Sequence, residues 1–141
     1  MADIQRAIEI AVSAHKGQKQ RNGLPYVLHP LTLMFAVSSV EAKIVAVLHD
    51  VVEDSNWELE DLRTEGFSES AIQAIDCLTH REGEEYEAYI ERVSSNDIAK
   101  EVKLADLTDN MNLRRILDLN PRDLSRLERY HQAWLCLSGN K

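Results

Sequence analysis

The chain has 141 residues, the size of one domain and long enough to bury a hydrophobic core without disulfide or structural-metal staples. A formal net charge of −8 argues against general binding to DNA or RNA, which relies on broad basic surfaces that displace counterions. A small phosphorylated ligand stays open, because a local basic cluster is enough for that.

Two well-separated cysteines, Cys77 and Cys136, form no CxxC motif and read as reduced core thiols. Asp3 and Arg6 bring charge at once to the N-terminus, with no signal peptide or membrane span, so a cytoplasmic location is expected. No repeat, low-complexity tract or linker divides residues 1–141, which read as a single unit. Oligomeric state leaves no trace in the sequence.

In chain order, Ile4, Ala7, Ile8, Ile10, Ala11 and Ala14 recur at helical spacing, with Gly17 as the stop. Asn22-Gly23-Leu24-Pro25 is a turn signal. Pro30 suits the first turn of a second helix through Leu31, Leu33, Met34 and Val37, which puts His29 at a helix entrance. A third, largely buried helix runs from Glu41 to about Glu53, and a short one from Glu58 to Thr64. Another spans Ser68 to His80, with Ser68 and Glu69 as start signals. Glu84 to Ser94 continues the pattern, then Asp97 to about Asn110 with Asp97 as N-cap. Asn120-Pro121-Arg122-Asp123 opens the last helix, which ends near Gly139. Strand alternation is absent, so the expected fold is an all-α helical bundle with irregular connections.

His29, His49, Asp50 and Asp106 supply two imidazoles and two carboxylates from segments that read as helix or helix edge. Mixed nitrogen and oxygen ligands suit manganese, iron, nickel or zinc, and four such ligands leave positions on a six-coordinate ion for a water. Val45 to Leu48 lead straight into His49-Asp50-Val51-Val52-Glu53-Asp54 with no lysine or arginine beside these polar groups, and unpaired carboxylates are costly to bury. At helical spacing Glu53 lies one turn beyond His49 and Asp54 one turn beyond Asp50, so this second acidic pair can face the ion's water. Just before the first candidate ligand, His15, Lys16, Lys19 and Arg21 fall within a few residues of one another, a local basic cluster suited to phosphates.

Three separated segments resemble the HD-superfamily hydrolases, within them the hydrolase domain of RelA/SpoT-type enzymes and the stand-alone small alarmone hydrolases. Ala14-His15-Lys16-Gly17-Gln18 with Gly23-Leu24-Pro25-Tyr26-Val27-Leu28-His29-Pro30 is similar to that family's AHxGQ…GxPYxxHP opening. His49-Asp50-Val51-Val52-Glu53-Asp54 is similar to its HDxxED core, and Lys103-Leu104-Ala105-Asp106-Leu107-Thr108-Asp109-Asn110 to its KLADxxxN segment. The resemblance implies an HD-domain helical bundle that hydrolyses the 3′-pyrophosphate of guanosine tetra- and pentaphosphate. It implies His29, His49, Asp50 and Asp106 as ligands of one divalent ion of the manganese type, with zinc, iron, nickel or cobalt as alternatives. Glu53 and Asp54 become the pair that positions and deprotonates the attacking water. Asn110 matches a ribose- or nucleotide-contacting asparagine, and Tyr130 lies in a segment similar to the aromatic one that closes the nucleotide pocket.

Lys16, Lys19 and Arg21 are expected at the substrate's phosphates, while Lys103 reads equally as a partner for Asp106 and as a substrate contact. His15, His80 and His131 are not expected as ligands. The chain departs from the family where an Arg-Lys pair usually precedes the glycine: Gln20-Arg21 stands there, so one cation is missing. An adenine alarmone, a nicotinamide dinucleotide phosphate or a nucleoside monophosphate is therefore an alternative substrate. A nucleotide sensor without turnover is a second alternative, disfavoured by retention of Glu53 and Asp54. No synthetase segment follows in this length, so alarmone synthesis is not expected.

Overall fold

Helix starts in this chain are written in short polar side chains. Asp3, Ser39, Ser68, Asn96 and Asn120 each accept a hydrogen bond from the backbone amide three residues on. Each such cap satisfies an otherwise orphaned donor, a contribution of about 1 kcal/mol. A computed structural model describes residues 2–139. Its helices are α1 (Ile4–Ala14), α2 (Leu28–Ala36), α3 (Val40–Leu48), α4 (Val51–Asp54), α5 (Leu59–Glu65), α6 (Glu69–Leu78), α7 (Tyr86–Ser94), α8 (Asp97–Asn110) and α9 (Pro121–Ser138), with a 3-10 turn at Leu113–Arg115. Among the described residues no strand forms, only an isolated antiparallel bridge between Lys19 and Pro25. No helix among them is long and apolar enough to cross a membrane.

A largely buried helix lies at the centre. Ala42, Val45, Ala46, Val47 and Leu48 of α3 are fully buried, and α1, α2, α6 and α8 pack around it. Burial of a valine or leucine side chain stabilises by about 1.5–3 kcal/mol relative to exposure, which fixes α3 as the axis on which the other helices are placed. Lys43, one of its few charges, donates to the Met34 and Val37 carbonyls at 3.0 and 2.6 Å and so closes the end of α2.

Three expectations change. The third helix is not continuous to Glu53: its hydrogen-bond ladder opens at His49-Asp50, and a single turn, α4, follows. His49 Nδ1 donates to the Ala46 carbonyl at 2.7 Å, the acceptor an unbroken helix offers to the Asp50 amide, and a side chain inserted into the ladder breaks it. The N-cap of α8 is Asn96 rather than Asp97, because the Asn96 side chain reaches the Ala99 amide at 2.9 Å. Cys77 is half-buried as a free thiol, but Cys136 is exposed on α9, so only one cysteine approaches the core reading.

Candidate metal centre and the adjoining cavity

The break after α3 turns His49 and Asp50 toward the N-terminal turn of α2 and the C-terminal half of α8. His29 enters from α2, Asp106 from α8. His29, His49 and Asp106 are 2%, 3% and 5% exposed. One ligand atom from each of His29, His49 and Asp50 lies within 4.8 Å of the other two, an arrangement that could hold a metal ion. Asp106 Oδ1 sits 2.8 Å from His29 Nε2 and 3.6 Å from His49 Nε2. All four residues singled out from the sequence thus meet in one place.

The outer nitrogens of both imidazoles are held. His29 Nδ1 donates to Asp109 Oδ2 at 2.6 Å and His49 Nδ1 to the Ala46 carbonyl, which aims each Nε2 into the cluster. These tautomers follow from the acceptors present. His49 Nε2 is buried with no aligned hydrogen-bond partner, although Asp50 Oδ2 lies 3.0 Å away. A buried, unpartnered imidazole nitrogen facing carboxylates fits a divalent cation.

Electrostatics bind the cluster together. Burial would lower the His49 pKa, but the charges of Asp50 and Asp106 hold it well above the ordinary imidazole value. The same contest ends the same way at His29, through hydrogen bonds to Asp106 and Asp109. Asp50 is pulled down to about 2 despite burial, by the nearby His49 charge first, with the Tyr26 hydroxyl also donating to it. Asp106 is held well below the usual carboxylate range in spite of its burial, first by the charge of Lys103, whose Nζ lies 2.9 Å from Asp106 Oδ2. Lys103 therefore takes the carboxylate-partner reading. Its ammonium also lies 5.2 Å from the Tyr89 ring centre.

Glu53 and Asp54 follow on α4. Glu53 Oε1 accepts from the His80 amide at 2.5 Å. The residue as a whole is exposed, yet partial burial of its carboxyl raises its pKa, with Asp50 and Asp54 adding to the rise and the His80 amide opposing it. Asp54 is raised as well, by burial and then by Asp50. Gln18 donates to the Asp54 carbonyl at 2.8 Å and pairs with His15 Nδ1 at 2.8 Å, which ties the end of α1 to the end of α4. His15 is buried with its ring 5.1 Å from that of Tyr26, whereas His80 and His131 are exposed.

Beside the cluster lies a cavity of about 220 Å³ whose lining includes Lys19, Gln20, Arg21, Tyr26, Asn110 and Tyr130. Two of these touch the cluster directly: Tyr26 at Asp50, and Asn110, which donates to Asp106 Oδ1 at 3.1 Å. Lys16 is exposed and does not line it. Arg21 lines it but is clasped by the buried Asp123 at the start of α9. A larger cavity of about 700 Å³ between α7 and α9 touches none of the cluster residues.

Sequence reasoning missed Asp109 and Arg115. Asp109 stands three residues after Asp106, one helical turn on, so its spacing carried a readable signal. Arg115 carried none, since it lies in the 3-10 turn beyond the last motif.

No protein-family model matches the chain. A Streptomyces coelicolor protein named GTP pyrophosphokinase is 35% identical over 130 residues, covering 83% of this chain and 15% of the relative. An Aquifex aeolicus protein named guanosine-3′,5′-bis(diphosphate) 3′-pyrophosphohydrolase is 30% identical over 121 residues, 77% of this chain and 17% of the relative. The chain thus spans less than one-fifth of the length of these two relatives. A solved structure, described as a metazoan ortholog of SpoT that hydrolyzes ppGpp and plays a role in starvation responses, superposes with a TM-score of 0.80. It is 20% identical, and the match covers 97% of this chain and 85% of that one. By sequence and by fold together, the chain belongs with the RelA/SpoT-type proteins, as an all-α HD-type domain.

Proposed function

We propose that the chain is a metal-dependent hydrolase that removes the 3′-pyrophosphate of guanosine tetra- and pentaphosphate, giving GDP or GTP and pyrophosphate. The observation that carries this reading is the buried, unpartnered Nε2 of His49, set among His29, Asp50 and Asp106 next to a cavity of about 220 Å³. The names of the relatives support the substrate class.

His29, His49, Asp50 and Asp106 would hold one divalent ion, of the manganese type given two nitrogen and two oxygen donors. Such an ion supplies activation of a water at neutral pH and withdrawal of charge from phosphoryl oxygens. Glu53 is the group that accepts the proton of the attacking water. Its raised pKa makes it a stronger base than an ordinary carboxylate, and the His80 amide fixes one of its oxygens so that the other is aimed. Asp54 orients the water from the same turn.

A cavity of about 220 Å³ is smaller than the roughly 300–1,000 Å³ that enclose a whole ligand, so it takes the nucleoside end and leaves the phosphates at the cluster. Asn110 and Tyr130 face that nucleoside, Lys19 and Arg21 border it, and Lys16 attracts phosphates from outside. The test is a panel of guanine and adenine alarmones, NADPH and nucleoside monophosphates incubated with protein and manganese, with products separated by anion exchange. Release of pyrophosphate from guanosine tetraphosphate is expected. Turnover of a different panel member alone, or binding without turnover, would overturn the reading.

A further inference from the structure

Arg115 divides its donors between two groups of residues. Its Nε donates to Gln20 Oε1 at 2.8 Å on the cavity wall. Its Nη1 donates to Asn110 Oδ1 at 3.1 Å and to the Asp109 carbonyl at 3.2 Å, and lies 3.2 Å from Asp109 Oδ2. Each partner leads on to a residue of the cluster. Asp109 holds His29 Nδ1, and Asn110 donates to Asp106. Gln20 closes the loop that delivers Tyr26 to Asp50: its side chain donates to the Pro25 carbonyl at 3.2 Å, and its amide to the Leu24 carbonyl at 2.8 Å. One guanidinium, 19% exposed, therefore stands behind His29, Asp106 and Asp50 at once.

Only arginine can do this. Its planar fork offers donors in fixed directions on three nitrogens, whereas a lysine ammonium is a single point that cannot serve Gln20 and the Asp109-Asn110 pair together. We propose that Arg115 is a positioning residue that sets ion affinity through Asp109 and Asn110 and nucleotide affinity through Gln20, so that the cation missing at position 20 is supplied from position 115. The nucleotide half rests on the hydrolase reading above; the ion half does not.

The test uses manganese titration followed by electron paramagnetic resonance, and GDP binding by calorimetry with chelator present so that no ion contributes. Arg115→Gln is expected to weaken manganese about 10- to 100-fold, the cost of losing an outer support of a ligand. GDP should weaken about 10-fold, as for one lost charge-assisted hydrogen bond. Asp109→Asn should reproduce the ion loss and leave GDP affinity unchanged, whereas Gln20→Ala should reproduce the GDP loss and weaken manganese less than Asp109→Asn does. Arg115→Lys, which keeps a charge beside Asp109, should restore manganese affinity but not GDP affinity. Native manganese affinity in folded Arg115→Gln protein would overturn the proposal. Should that variant fail to fold, Arg115→Lys carries the test, and equal loss of both affinities or loss of neither overturns it. If the variants show these shifts while the wild-type protein leaves guanosine tetraphosphate intact, the proposed activity is overturned and Arg115 stays assigned.

Discussion

The His/Asp cluster and the cavity beside it are built on opposite principles. In the cluster, charged and polar groups are buried or half-buried and meet in pairs: Lys103 with Asp106, His29 with Asp109, Tyr26 with Asp50. At the cavity the cations are on the rim, Lys19 exposed and Arg21 already clasped by Asp123. Buried charges tolerate little change, since removal of one partner strands the other at a cost of about 3–5 kcal/mol. Rim charges are screened by solvent and tolerate more change.

That contrast is broken most directly by Asp50→Ala. If the cluster holds the ion, this variant should lose manganese by more than the about 10- to 100-fold that outer-shell changes cost, and lose turnover with it. Metal analysis and product release read the two together, and full occupancy would sink the ligand assignment. The stabilisation lost in unfolding experiments should be about 2.7 kcal/mol when the ion is supplied at one hundred times its Kd.

The pH dependence sharpens the same point. His29 and His49 have raised values in the protein without an ion, so their contribution to its stability is fully present below the ordinary imidazole value near 6.5 and fades as pH rises through the folded values. An ion must expel those protons. Its affinity should therefore climb with pH over that window, and the gap in Tm between loaded and chelated protein should widen from pH 6 to pH 8. A gap that narrows over that range would refute the coupling.

Glu53→Gln should keep the ion and lose about 10²- to 10⁴-fold in turnover, the usual size of a general-base contribution. Near-native turnover would move the base to Asp54. The smallest effect belongs to the cavity. Tyr130→Ala should remove about 1–3 kcal/mol of aromatic contact, raising KM far more than it lowers kcat. A fall in kcat with KM unchanged would place Tyr130 in the chemistry rather than on the cavity wall.

The sequence made the cluster legible because each of its residues sits in a compact motif and because an acidic run after an apolar helix has few cheap explanations. Helix identities were legible for the same reason, as periodicity and caps such as Ser68 and Asn120 are local signals. The break at His49-Asp50 was not: spacing there suits a continuous helix, and only the competition between His49 Nδ1 and a backbone amide for one carbonyl decides otherwise. Arg115 was invisible for a different reason. Its meaning comes from Gln20, 95 residues earlier, and no local pattern encodes such a pairing.

The cluster is closed by contacts very distant along the chain, 77 residues between His29 and Asp106 and 80 between His29 and Asp109. Closing such loops is slow, so these contacts are expected to form late in folding, after the local helices have collapsed around α3. A group that assembles after the folding barrier cannot speed the ascent to it. Stabilisation by a bound ion should therefore appear almost wholly as slower unfolding, giving this chain a lifetime set by metal supply and a folding rate indifferent to it.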